Sequence, residues 1–290
     1  MDFDREVKES AKGFLYRDTK LEDVEFTSQS IGYGGYANIY LAQTRDGVKL
    51  ALKKFNIDAG EKDVDKIKRN IAHGLESGVL LSKQFTRPKI VPDLMSGKWY
   101  VMEFFDGQNV KEMIRKNPVL GENPDLTGRI LATYADMLSL AHENELLFQD
   151  NSWGNVLVNG DEVRVCDYDL MHAEGSTPIN SGLGTFIYGS REQILGIKLK
   201  KSSDLEGFAL MMDHLINARP LRRLCFFNRL STEEISAVNQ RAESDSFNYK
   251  ASENIPHGLR EVLTGLIKYP RDDFITAEDV REAIRQAYKV

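Results

Sequence analysis

Cysteine is nearly absent: Cys166 and Cys225 are the only two in 290 residues. No CxxC pair or metal-ligand spacing can be built from them, so a disulfide framework and a thiolate metal site are excluded, and both read as reduced, buried thiols of a cytosolic protein. Long hydrophobic runs are missing as well. No apolar stretch could span a bilayer, and the opening MDFDREVKES is charged without the apolar core of a signal peptide. The expectation is a cytoplasmic chain with no membrane partner. Basic charge is also short: 38 Lys and Arg stand against 44 Asp and Glu, a net charge of −6, which argues against nucleic acid as the main partner. No internal repeat or long low-complexity segment interrupts the chain. Two familiar motifs fail on inspection. His142 and Glu143 do not open a zinc motif, because Leu146 stands where HExxH needs its second histidine. The glycine-rich stretch near residue 34 is followed neither by Gly-Lys-Ser/Thr, as in a P-loop, nor by the helix of a Rossmann turn. What remains is ordinary globular composition in a chain long enough for one large domain or two lobes.

Residues 148–169 read FQDNSWGNVLVNGDEVRVCDYD. Val156, Leu157 and Val158 form a short buried strand, Asn159-Gly160-Asp161 a tight turn, and Val163, Arg164, Val165 and Cys166 the returning strand. This hairpin folds Asp167 back beside Asn155. An amide oxygen and a carboxylate converging there suit a hard cation such as magnesium, and Asp150 lies upstream, free to take a proton. A D-x-x-x-x-N spacing is common by itself, so its meaning depends on the rest of the chain.

Taken in order, residues 4–15 place Val7, Ala11, Phe14 and Leu15 at helical spacing, which predicts a surface helix. Strand character runs from Val24 through Ile31. Gly32, Gly34 and Gly35 then precede a second strand at Ile39-Tyr40-Leu41, so the glycines lie at a strand-turn-strand tip where backbone N–H groups can approach a phosphate. Residues 48–55 form a strand in which one lysine faces inward, and a buried lysine needs a carboxylate or phosphate partner. Either Lys53 or Lys54 is that residue. A helix over residues 62–84, with Ile67, Ile71, Leu75, Val79 and Leu80 as its apolar stripe, offers Glu76 at the stripe's border. Residues 98–107 are an apolar strand breaking into an acidic, glycine-ended turn. Residues 126–144 form a long amphipathic helix with Ile130, Leu131, Tyr134, Met137, Leu138 and Ala141 on one face, and His142 reads as structural. Residues 204–217 resemble the buried central helix of a known family's larger lobe, with Asp204 at its acidic start. Lys198, Lys200 and Lys201 read as a solvated loop or a basic patch facing substrate.

These pieces, in this order over about residues 24–288, resemble the protein kinase family. DxxxxN matches the catalytic loop from Asp150 to Asn155, Asp167-Tyr168-Asp169 sits where the family has Asp-Phe-Gly, LALK ends on Lys53 as VAIK does, and Gly184, Thr185, Tyr188 and Glu192 match GTxxYxxPE in register. The resemblance implies an α+β bilobal kinase fold: an N-terminal extension at 1–23, an N-lobe of antiparallel sheet with one helix at 24–105, and a mainly helical C-lobe at 106–290. It implies ATP and Mg2+ as cofactors and a protein Ser/Thr hydroxyl as acceptor, with autophosphorylation possible. Gly32, Gly34, Gly35 and Lys53 hold the phosphates, Glu76 orients Lys53, Ala51, Met102, Glu103 and Phe105 border adenine, and Asn155 and Asp167 hold the metal. Asp150 accepts the hydroxyl proton.

The departures are specific. Phe148-Gln149 replaces the family's His-Arg, removing the arginine that pairs with an activation-loop phosphate and making that mode of regulation improbable, although Ser176, Thr177, Ser181 and Thr185 remain modifiable. Ser152 replaces a lysine near the transferring phosphate, Ala37 the third loop glycine, Asp169 the Gly of Asp-Phe-Gly, and Arg191 the Pro before Glu192. Two alternatives stay open: a pseudokinase serving as an ATP-binding interaction module, and a small-molecule phosphotransferase, for which Ser152-Trp153-Gly154 speaks.

Overall fold

The computed structural model describes residues 15–16, 19–20, 24–33, 37–55, 90–92, 99–117, 120–177, 186–217, 236, 240, 243–244, 249, 251–268, 270 and 274–290. The chain divides into two units, Met1–Asp106 and Gly107–Val290.

The first unit opens on a small hairpin, β1 (Leu15–Tyr16) with β2 (Thr19–Lys20). Leu15 was expected to end a helix. It pairs instead with Lys20, and its neighbour Tyr16 with Thr19, residue types that favour a pleated strand; the rest of the expected helix lies outside the described residues. Five strands then make an antiparallel sheet: β3 (Glu25–Tyr33), β4 (Ala37–Gln43), β5 (Lys49–Phe55), β6 (Ile90–Pro92) and β7 (Trp99–Glu103), in the order β3-β4-β5-β7-β6. The turn from β4 to β5 closes through Gly47, whose φ of 87° no larger residue adopts readily. Its N–H donates to the Thr44 carbonyl at 3.0 Å. β5 sits at the centre of the sheet, and Leu50, Ala51, Leu52, Lys53 and Phe55 are all buried. Burial on both faces explains its unbroken apolar run and forces one lysine inside. The expected helix over residues 62–84, Glu76, Gly34 and Gly35 lie outside the described residues.

The second unit is mainly helical. It runs β8 (Gln108–Asn109), α1 (Val110–Lys116), α2 (Pro124–Glu143), β9 (Leu146–Leu147), β10 (Val156–Asn159), β11 (Glu162–Val165), β12 (His172–Ala173), α3 (Arg191–Leu195), α4 (Lys201–Asn217), α5 (His257–Ile267) and α6 (Ala277–Tyr288). Asn123 caps α2, its Oδ1 accepting from the Leu126 N–H at 3.1 Å, and Pro124 takes the first helical position, where its missing N–H costs nothing. The expected stripe from Ile130 to Ala141 is buried. α4 is buried on nearly every side, with Leu205, Phe208, Met211 and Met212 packed around Asp204 and Glu206. Burial of its Asp204, Glu206 and His214 along with its apolar residues places it within a core, where such polar groups need partners. At the end of the chain Thr276 and Asp279 close a capping box on α6, and α5 packs against α6. An antiparallel sheet in one unit and helices in the other make the α+β class that the sequence implied. Among the described residues no helix is long and apolar enough to cross a membrane.

Candidate active site

The β10–β11 hairpin sets the geometry. Val156 pairs with Val165 and Asn159 with Glu162, so Gly160 and Asp161 make the two-residue turn, and Gly160 at its first position takes a positive φ of 58°. One rung further, the Cys166 N–H donates to the Asn155 carbonyl at 2.8 Å. Asp167 therefore follows directly beside Asn155. Cys166 is half-buried rather than buried, because as the last residue before this loop it leaves the strand; its thiol lies 3.4 Å from the same carbonyl. Asp167 has φ 69°, a left-handed conformation that aspartate tolerates better than most residues.

Asp150 and Asn155 are bonded to each other. The Asn155 Nδ2 donates to the Asp150 carboxylate at 2.9 Å and to the Asp150 carbonyl at 3.0 Å. With the NH2 so used, the Asn155 amide oxygen is the atom left for a cation. Among the described residues no group of three or more His, Cys, Asp or Glu could hold a metal alone. One amide oxygen and one carboxylate are the donor set of a hard cation that keeps water and phosphate as its other ligands, so the residues fit magnesium.

The turn entering Asp150 is strained. Gln149 has φ 62°, and the Asp150 N–H donates back to the Phe148 carbonyl at 2.8 Å, a three-residue turn of the rarer, left-handed kind. Such a conformation costs on the order of 1–3 kcal/mol and persists only where its surroundings hold it. Asp204 holds it from α4. Its carboxylate accepts the Phe148 N–H at 2.6 Å and the Gln149 N–H at 2.9 Å, and faces His142 Nε2 at 3.3 Å. The sequence placed Asp204 at the acidic start of a helix. The helix starts a turn earlier, at Lys201, and the carboxylate answers two buried N–H groups of the loop instead of capping its own helix. His142 is structural, as expected.

The remainder of the loop is anchored by aromatic residues. Tyr134 stacks on Phe208 at 4.6 Å between ring centroids and meets Phe148 and Trp153 edge-on. The Tyr134 hydroxyl donates to Asn151 Oδ1 at 2.8 Å. Burial, helped by the nearby charges of Asp204 and Asp150, raises its pKa well above the usual value, so it stays a donor. Trp153 is buried with its Nε1–H on the Met211 carbonyl at 3.0 Å, and Ser152 Oγ accepts the Gly154 N–H at 3.1 Å. Both residues thus serve the loop's own fold.

In the first unit the register decides between the two lysines. Gly32 pairs with Ile39, Ile39 with Lys53, and Lys53 with Tyr100; Ala51 pairs with Met102. Residues directly opposite, and those two apart on one strand, share a face, so Gly32, Ala51, Lys53 and Met102 lie on one face of the sheet. Lys53 is 7% exposed and Lys54 half-exposed. Glu103 pairs with Leu50, and Phe105 follows the strand, half-buried.

A profile for the family described as protein kinase domain matches residues 26–284. The chain belongs to the protein kinase family. The serine/threonine-protein kinase PrkC of Bacillus subtilis (strain 168) is 27% identical over 272 residues, covering 89% of this chain and 39% of that protein. The probable serine/threonine-protein kinase PknB of Lactococcus lactis subsp. lactis is 26% identical over 196 residues, 66% of this chain and 31% of that one. The dual specificity mitogen-activated protein kinase kinase mek-2 of Caenorhabditis elegans is 30% identical over 121 residues, 41% of this chain and 30% of its own length. The chain therefore spans about two fifths or less of these relatives. Kinases of this family use ATP and a divalent metal.

Several departures from the kinase pattern are mutually adjusted. Phe148 and Tyr168, which replace the family's His and Phe, touch edge-on at 5.9 Å. Arg191, in place of a proline, donates its N–H to Glu206 Oε2 at 3.1 Å, a bond that proline could not make. Asp169 is buried and is not among the residues with positive φ; the left-handed position is Asp167. Of the GTxxY segment, Gly184 and Thr185 lie outside the described residues, Tyr188 bonds His214, and buried Glu192 accepts from Ser203 Oγ at 2.8 Å. Lys201 begins α4 with its ammonium 3.5 Å from Glu174. Sequence reasoning missed Asp204's link to the loop, the Tyr134–Asn151 bond and the role of Gln193 described below. Only their positions within strong helical patterns could have pointed to them.

Proposed function

We propose that the chain is an ATP-dependent Ser/Thr protein kinase, its residues 24–105 and 106–290 forming the two lobes of one catalytic domain behind an extension at 1–23. The observation that carries this reading is the loop in which Asp150 and Asn155 are hydrogen-bonded and the hairpin seats Cys166, the residue before Asp167, on the Asn155 carbonyl. Lys53 binds the phosphates of the nucleotide, with Glu76 as its partner. Gly32 gives the phosphates room; among the described residues the atoms nearest to a Cβ there belong to Ile39, at 3.5 Å, an ordinary contact. Ala51, Met102 and the backbone of Glu103 and Phe105 border adenine. Asn155 and Asp167 hold magnesium, which when bound neutralises charge on the phosphates. Asp150, oriented by Asn155, takes the proton of the incoming hydroxyl as the phosphoryl group transfers in line. Most of the acceleration is positioning and charge complementarity.

PrkC and PknB are serine/threonine kinases by name, which favours Ser/Thr as acceptor. With Trp153 and Ser152 both engaged in the loop's own structure, neither side chain speaks for a small-molecule acceptor. The test is to incubate the chain with Mg-ATP and a generic protein acceptor and map the phosphate by mass spectrometry. Phosphate on Ser or Thr, absent in Asp167→Ala, supports the assignment. Transfer retained by Asp167→Ala, or none to any protein, refutes it.

A further inference from the structure

The strained peptide entering Asp150 has a support that comes from neither the loop nor the core helix. Gln193, in α3, lies 44 residues further along the chain, and its Nε2 donates to the Gln149 carbonyl at 2.7 Å. The other end of the same carboxamide is also engaged: its Oε1 accepts the Ser190 N–H at 2.9 Å, while Ser190 Oγ accepts the Gln193 N–H at 3.2 Å. One side chain thus joins the backbone at the start of α3, directly after the segment at residues 186–189, to the peptide whose far side is the Asp150 N–H. The link is uncharged and complete in the unmodified chain. Gln149 itself, buried where kinases carry an arginine, offers no charge to a phosphate.

We infer that Gln193 is a positioning residue for Asp150, coupling the seating of residues 186–193 to the orientation of the Gln149–Asp150 peptide. This deepens the kinase reading above and rests on it. Gln193→Glu separates the two bonds. A glutamate caps α3 as well as glutamine does, keeping the acceptor for Ser190, and loses only the donor to Gln149, whose carbonyl then faces a carboxylate. The experiment uses the full chain and three readouts: thermal midpoint, hydrogen exchange at the Asp150 amide, and initial rates of transfer to a generic protein acceptor at varied Mg-ATP.

Gln193→Glu lowers the midpoint by only a few degrees, exchanges its Asp150 amide about tenfold faster and loses about tenfold in kcat, the worth of one such hydrogen bond, while KM for Mg-ATP stays within about twofold. Unchanged exchange and kcat in Gln193→Glu overturn the coupling. Should the glutamate variant not fold, Gln193→Met, which loses both carboxamide bonds, is compared with Ser190→Ala, which loses only the hydroxyl bond of the cap, and faster Asp150 amide exchange in the former alone carries the test. If wild type transfers nothing, the kinase reading falls, and the exchange measurement still decides whether Gln193 holds the turn.

Discussion

Asp204 shows how much of an active site can depend on a residue that touches no substrate. Its two oxygens satisfy two buried N–H groups, those of Phe148 and Gln149, which have left their strand for a strained turn. Removing the carboxylate leaves both donors buried, and each such loss costs about 1–3 kcal/mol. Asp204→Ala is therefore expected to destabilise the chain by about 3 kcal/mol or more, read as a lower urea midpoint at unchanged slope. Asp167 is the opposite case. It is half-exposed in a left-handed conformation that alanine adopts less readily, so Asp167→Ala should cost no more than about 1–2 kcal/mol of stability while transfer falls by about a thousandfold or more. Neither outcome was legible from residue type, since both are aspartates in polar-apolar junctions. The difference lies in partners that are distant along the chain, which no local pattern encodes.

Elements with their own turn chemistry were the legible ones. Asn-Gly fixed the β10–β11 hairpin and with it the approach of Asp167 to Asn155, and the apolar stripe of α2 announced its buried face. The choice between Lys53 and Lys54 needed the register of β5 between β4 and β7, and Asp204's true partners needed the packing of α4 on the loop. That packing runs through Gly207. A Cβ there would come within 2.4 Å of Asn151 Nδ2 and 2.7 Å of the Tyr188 carbonyl, closer than real contacts allow. Gly207→Ala should thus push α4 from both the catalytic loop and the segment before α3. A loss of about 1–3 kcal/mol in stability is expected from such overpacking, with kcat falling further than KM rises. Wild-type stability and rate in this variant would show that α4 does not position the loop.

For the chain as a whole, the order of motifs carried the family, and the family carried the function; composition alone excluded more than it identified. One property of the whole chain follows from a single buried group. Burial lowers the His214 pKa from its usual 6.5 to about 4, where its Nδ1 bonds Tyr188. Between those values the unfolded chain binds the proton and the folded chain does not. Stability therefore rises with pH through that window and is lost as pH falls, by about 2 kcal/mol at pH 5 relative to pH 7. His214→Gln should remove that part of the pH dependence in urea unfolding; an unchanged slope would contradict it. The proposed role of Asp150 is to serve phosphoryl transfer from Mg-ATP to protein. The most direct measurement is the initial rate at which labelled γ-phosphate reaches a protein acceptor, for wild type and Asp150→Asn at equal folded concentration. Label with wild type and a loss of at least about a hundredfold in the variant is the predicted result, and equal rates, or no transfer by a folded wild type, would contradict it.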